Sequence, residues 1–324
     1  MSIYTMSTQL LPIRDQVRLW GPGSDVRLGR SEAIDYCHAL AGGHYENFSV
    51  LSSLVPRILR DDFAAVYSFC RWSDDLSDEI GDPEESKALL AWWRTELDDC
   101  FAGAPRHPVM CALEQTIRNH ELPARPFHDL IDAFVQDQEV TRYETWSQLL
   151  HYCSRSADPV GRLVLMLLGE PRDDDHFVPS DHICTALQLT NHWQDVARDL
   201  LERDRIYLPS ELIEIADFES RLRISAAQGY AVDAGFLEES RELIRLCVDR
   251  TQAMFESGRV LLDRLQPESR PVIRLFWEGG THVLDQIRHW NYETVLHRPR
   301  LSKLTKFGLV ARAWGAARLA RWGS

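Results

Sequence analysis

The sequence predicts an all-α protein, and three observations carry the prediction. Apolar residues recur at intervals of three and four along most of the chain, the spacing of helices with one buried face. Gly and Pro fall at the joints between these stretches. No stretch alternates apolar and polar residues as a half-buried strand would. With 324 residues, no repeat of fixed period and no low-complexity linker, one large helical domain is expected over residues 31–297. Residues 1–30, containing Gly21, Pro22 and Gly23, are expected to form a flexible N-terminal arm. Residues 298–324 are expected to form a basic amphipathic helix.

The elements follow in order. Ser31 is placed to cap a first helix that Gly42 and Gly43 should end. Pro56 breaks the next apolar stretch. Asp61 or Asp62 caps the helix over YSFCRWSDDLSDE, and Gly81 stops it. Asp82-Pro83 restarts the chain as a helix, with Pro at its first position. Helical patterns follow over 84–101, 108–120, 127–139 and 145–156. Asp158-Pro159 punctuates, VGRLVLMLL resumes, and Pro179-Ser180 should open the helix over ALQLTNHWQDVARD. Beyond Pro209, helices are expected over 222–230, 236–265, 269–295 and 302–321.

Composition excludes several functions. A net charge of −13 argues against a general nucleic-acid binder, and no nucleic-acid partner is expected. The seven cysteines have no C-x-x-C or zinc-finger spacing, so free, mostly buried thiols are expected. There is no signal-peptide pattern, and the longest apolar run, Leu163 to Leu168, is far short of the roughly 20 residues a membrane span needs. A cytoplasmic protein is the expectation. From Arg298 onward every ionisable side chain is basic. That tail either lies on an anionic membrane surface, at the inner face, or packs on the domain with its basic side in solvent.

Two polar stripes stand out. On a helix, Tyr67, Arg71, Asp74 and Asp78 share one face. Gln188, Asn191, Asp195 and Asp199 repeat the pattern. Like charges four residues apart cost a helix only about 0.2–0.5 kcal/mol, but two such pairs on separate helices suggest a site for divalent cations. Mg2+ takes oxygen ligands and commonly bridges one or two carboxylates to substrate phosphates. Arg71, one turn before Asp74, is placed to meet a phosphate oxygen. Arg205 and Tyr207 follow in the loop DRIYLP.

HYENFS, AVYSFCRWSDDLSDE, YCSRSADPVG, QLTNHWQDVARD and RIYLP, in that order, resemble the squalene/phytoene synthase family over residues 31–295. HYENFSV, FCRWSDDLSDE, NHWQD and the terminal RPRLSKLTK…RAW are most similar to the hydroxysqualene synthase branch of bacterial hopanoid biosynthesis. The resemblance implies an isoprenoid-synthase helical bundle around a central cavity. It implies Mg2+ held by Asp74 and Asp78 and by Asp195 and Asp199, with Asp75 and Glu79 beside the first pair. Arg71, Gln188, Asn191, Gln194, Arg205 and Tyr207 fall at or beside positions that contact substrate diphosphate or support the metals. Tyr67 matches a ring near the reacting carbons, and Phe48 a residue lining the pocket. Val160, Leu163, Val164 and Leu167 either line that pocket or pack in the core.

Relatives that condense two prenyl diphosphates often carry a basic residue inside the first motif and Arg directly before the aspartate of the fourth. Here those places hold Glu46 and Gln194. The resemblance therefore implies ionisation of one diphosphate, such as presqualene diphosphate, with water capture to hydroxysqualene. Glu46, Asn47 or Asp158 is the candidate to position that water, although Asp158 also suits a simple cap for the helix at Pro159. The rival readings are head-to-head condensation by a squalene, dehydrosqualene or phytoene synthase, and a non-catalytic isoprenoid-lipid binder. Isoprenoid diphosphates are the expected substrate class, and neighbouring enzymes of the squalene pathway are expected partners.

Overall fold

The computed structural model describes residues 11–44, 54–230, 233–302, 305, 308–309 and 311–313. It is all-α: among the described residues the only β pairing is an isolated bridge between Arg142 and Ile206. The chain divides into two compact units, one of residues 1–139 and 162–172, the other of 140–161 and 173–324.

The first unit is built on α1 (Ile13–Trp20), α2 (Arg30–His44), α3 (Arg60–Asp78), α4 (Pro83–Phe101), α5 (Pro108–His120) and α6 (Arg125–Gln136). Helix α3 lies at its centre, packed against all five others. The chemistry of that packing is aromatic. Trp72 stacks on Trp93 at 5.4 Å, and Phe69 and Phe127 meet edge to face at 5.0 Å. Buried indole N–H groups need acceptors, and both find one: Trp93 Nε1 donates to Ser73 Oγ (2.9 Å) and Trp72 Nε1 to the Tyr36 hydroxyl (2.9 Å). Tyr36 in turn donates to Gln16 Oε1 at 2.6 Å, and Gln16 Nε2 to the Leu11 carbonyl at 2.8 Å.

That relay bears on the expected N-terminal arm. Within residues 1–30, Ile13–Trp20 forms a helix that buries Ile13, Gln16 and Trp20. Gln16 looks like a surface residue in the sequence; its role is to satisfy a buried tyrosine on another helix. Helix α2 also runs through Gly42 and Gly43 to His44 instead of ending at them.

The second unit holds α7 (Trp146–Ser156), the start of α8 (Asp158–Leu167), α9 (Asp174–Gln194), α10 (Val196–Arg203), α11 (Phe218–Gln228), α12 (Ala234–Gly258), α13 (Leu261–Arg264) and α14 (Arg270–His289). Thr145 closes a capping box with Gln148 and fixes where α7 begins. Helices α9 and α12 form its central pair. They approach closely at Gly258, where an added Cβ would lie 2.6 Å from Ile183 and 2.8 Å from the Pro179 carbonyl. Trp193 Nε1 donates across the same pair to Thr251 Oγ1 at 2.8 Å.

Pro179 does not open α9; it lies inside it. Proline lacks the N–H that would have bonded the carbonyl four residues earlier. That carbonyl, Asp175 O, accepts from the Arg264 guanidinium instead. A long-range side chain thus repairs the helix, which no local reading of the sequence reveals.

Candidate active site

In the first unit the stripe on α3 forms as expected. Tyr67, Arg71, Asp74 and Asp78 are all half-buried, on a helix whose remaining faces are largely buried. Arg71 is held within its own helix, 3.3 Å from Asp74 and hydrogen-bonded to the buried Asp75. Burial alone would lower the Arg71 guanidinium, but Asp75 and then Asp74 outweigh it and hold it above its ordinary value. Asp75 therefore anchors Arg71 under the stripe. Asp78 accepts from Ser77 Oγ at 3.2 Å, and that hydroxyl is fixed by Gln138 Nε2 at 2.8 Å.

In the second unit the stripe runs along α9 through Gln188 and Asn191 to Asp195, half-buried or exposed throughout. The helix breaks there. Asp195 leaves helical geometry (φ −109°, ψ 17°), α10 starts at Val196, and Asp199 N still donates to the Asp195 carbonyl at 2.8 Å. The expectation of one continuous helix under both aspartates is corrected: they flank a kink. Asp199 is 9% exposed. Burial, then the neighbouring charge of Asp195, raises its carboxyl to about 7, against the pull of Arg203, Arg198 and Arg205.

The loop after α10 is pinned by backbone. Asp204 adopts a left-handed conformation (φ 53°), Arg205 N donates to Asp199 O at 3.0 Å, and Ile206 N donates to Thr141 O at 2.9 Å. Arg205 and Tyr207 are thereby buried beside Asp199. Tyr207 lies flat on His192, with ring centroids 3.6 Å apart and planes 15° apart, and borders Tyr143 and Tyr152. Burial, then the Arg205 charge, lowers His192 to about 3, so the ring is neutral near pH 7. Its Nε2 is buried without a hydrogen-bond partner. His192, Val196, Asp199, Arg205, Ile206, Tyr207 and Leu208 line one small crevice.

Gln194 is buried, and its amide donates to the Pro299 carbonyl. Asp195 is gripped through both oxygens by Arg298, with Nη2 to Oδ2 at 2.8 Å. Asp158 is the first residue of α8, 7% exposed, and accepts from Thr185 Oγ1 on α9 at 2.7 Å. Val160 and Val164 are half-buried, Leu163 and Leu167 buried. Glu46, Asn47 and Phe48 lie outside the described residues.

Sequence reasoning missed His192, Tyr143, Tyr152 and Arg298 as neighbours of these residues. The histidine is hidden inside an apolar helix. Only the onset of the basic tail marks Arg298.

Among the described residues no group of three or more His, Cys, Asp and Glu side chains is gathered as a ready-made metal cluster. The donors present are paired carboxylates, which is what Mg2+ uses when waters and phosphate oxygens complete its shell. Asp199, buried beside a second aspartate and reluctant to ionise, is a carboxylate that a cation would relieve. The residues therefore fit the ion.

Comparison with known proteins gives the family. The squalene/phytoene synthase family model matches residues 41–305. A hydroxysqualene synthase of Zymomonas mobilis is 39% identical over 176 residues, 53% of this chain and 58% of that one, so the match spans less than two thirds of that relative. A hydroxysqualene synthase of Rhodopseudomonas palustris is 32% identical over 67% of this chain and 70% of its own. The crystal structure of the squalene synthase HpnC from Alicyclobacillus acidocaldarius superposes with a TM-score of 0.70 at 41% identity, covering 83% of this chain and 97% of that one. Helical architecture, ordered motifs and these matches lead to one conclusion: the chain belongs to the squalene/phytoene synthase family, a family of prenyl-transferring enzymes with an all-α isoprenoid-synthase fold.

Proposed function

We propose that the protein ionises presqualene diphosphate and captures the cation with water, releasing hydroxysqualene and diphosphate. One observation carries the choice of a single-diphosphate substrate. Gln194 stands where two-diphosphate relatives often have Arg, and its amide is committed to the Pro299 carbonyl, so the position supplies no cation. Hydroxysqualene synthases among the similar proteins support the same reading.

The reaction breaks the C–O bond with both electrons leaving on diphosphate. Asp74 and Asp78, and Asp195 and Asp199, are the carboxylates that would hold Mg2+, which would supply the Lewis acidity that makes diphosphate a competent leaving group. Arg71 and Arg205 stabilise the negative charge that grows on the departing group. Tyr67 is assigned to the ring that stabilises the carbocation, a role that also requires apolar side chains to exclude stray water. Water then forms the new C–O bond and gives up one proton. Glu46, Asn47 or Asp158 positions that water, and a carboxylate among them takes its proton; of the three, Asp158 is the one described, with one oxygen accepting from Thr185 Oγ1.

The test is incubation with Mg2+ and no reductant, separately with farnesyl diphosphate and with presqualene diphosphate. Hydroxysqualene from the second and no product from the first is expected. Presqualene diphosphate or dehydrosqualene formed from farnesyl diphosphate overturns the reading in favour of condensation. The similarity to a protein described as a squalene synthase keeps that second reading in play. No described helix is long and apolar enough to cross a membrane. We place the protein in the cytoplasm, taking its lipid substrate from the membrane surface and passing product to neighbouring squalene-pathway enzymes.

A further inference from the structure

The segment after α14 is built with care for a chain end. Asn291 and Tyr292 both adopt left-handed backbone (φ 52° and 59°), a costly arrangement for two successive residues with side chains. Glu293, 5% exposed, holds the turn by accepting from Val295 N and Leu296 N, both at 2.9 Å. Thr294 and Val295 are buried, and Trp290 stacks on His297 at 4.9 Å. What this turn delivers is a clamp on the kink between α9 and α10. The Pro299 carbonyl takes the Gln194 amide, and the Arg298 guanidinium engages both Asp195 oxygens. A planar fork on a carboxylate is the strong form of such a pair.

We propose that Arg298 is a built-in counter-ion of Asp195 that a divalent cation must displace, so that metal entry releases the strap of residues 290–302 from the kink. The proposal rests on the reading of Asp195 as a metal ligand. It adds that a third stretch of chain, far from either acidic motif, sets how readily that ligand accepts an ion. Guanidinium and metal compete for the same oxygens, and each neutralises the charge that the other would have met.

The experiment uses the full chain and Mn2+ alone, with free ion followed by electron paramagnetic resonance. For a pair whose carboxylate is largely buried and whose guanidinium is about one-third exposed, removing the competitor should tighten binding about fivefold. Arg298→Gln is therefore expected to bind Mn2+ more tightly than the wild type, and Asp195→Asn more weakly. Arg298→Lys, which keeps charge without the fork, should fall between the wild type and Arg298→Gln. Hydrogen exchange over residues 290–302 gives a second readout: Mn2+ should speed exchange in the wild type, while Arg298→Gln exchanges fast with or without it. Glu293→Gln loosens the turn with both ion-pair partners intact, and should also tighten Mn2+ binding should Arg298→Gln fold poorly. Equal or weaker binding by Arg298→Gln, with Asp195→Asn still impaired, overturns the displacement and leaves the metal site standing. Unchanged binding by Asp195→Asn removes Asp195 as a ligand, and this inference with it.

Discussion

A buried histidine shows how much environment decides at the scale of one residue. His107 is fully enclosed by Trp72, Trp92 and Trp93, and its Nδ1 accepts from Val109 N to cap α5. Burial holds its pKa well below the ordinary value, so the folded chain keeps it neutral where the unfolded chain protonates it. The stability it supports is present above about pH 6.5 and is lost as pH falls below it, at about 1.4 kcal/mol per pH unit for one proton. Chemical denaturation at pH 7, 6 and 5 should show the wild type losing stability faster than His107→Asn, which keeps the capping acceptor but cannot titrate. The carboxylates assigned to the proposed reaction should give a different signature. Asp78→Asn and Asp199→Asn are expected to lower kcat about 100-fold or more, with helix content unchanged by circular dichroism. Asp158→Asn should instead alter the product mixture, lowering the alcohol relative to eliminated hydrocarbon, as read by gas chromatography.

Elements in this protein meet through specific devices, and these were the least legible part of the sequence. The capping box at Thr145 is visible in TWSQ, and Thr145→Ala should cost about 1 kcal/mol of stability. The close approach at Gly258 is invisible there, because one glycine near the end of a long helix could equally be a cap. Gly258→Ala should destabilise by about 1–3 kcal/mol, since the added methyl meets backbone at Pro179 that has no room to shift. Pro179 itself misleads a local reading, which takes proline for a helix start; Arg264, from another helix, satisfies the carbonyl it frees. The kink at Asp195 has the same character. Spacing puts Asp195 and Asp199 on one side, but the chain turns between α9 and α10, and the residues that meet that turn, Arg298 and Pro299, come much later in the chain.

For the molecule as a whole, pattern carried further than it did locally. Helix periodicity and joints marked by Gly and Pro specify the all-α class, and the ordered motifs specify the family, because neither depends on distant contacts. Long-range pairing is another matter: nothing in RPRLSK says that its first arginine reaches Asp195. The basic tail suits either a membrane-lying helix or a packed one. Where it is described, Leu309 and Ala313 are buried and Arg312 lies 3.4 Å from Glu278 of α14. Deleting residues 302–324 should therefore lower the thermal midpoint, with about 2 kcal/mol lost for the Leu309 side chain alone. Equal flotation of the full and shortened chains with anionic liposomes is the companion expectation. The same reasoning returns to the opposite end of the chain. Anyone trimming the protein ahead of Ser31, as its glycines invite, would pull a glutamine out of a chain of three polar side chains and strand a phenol in oil. The shortened enzyme would then fail in its core, although nothing near its carboxylates had been touched.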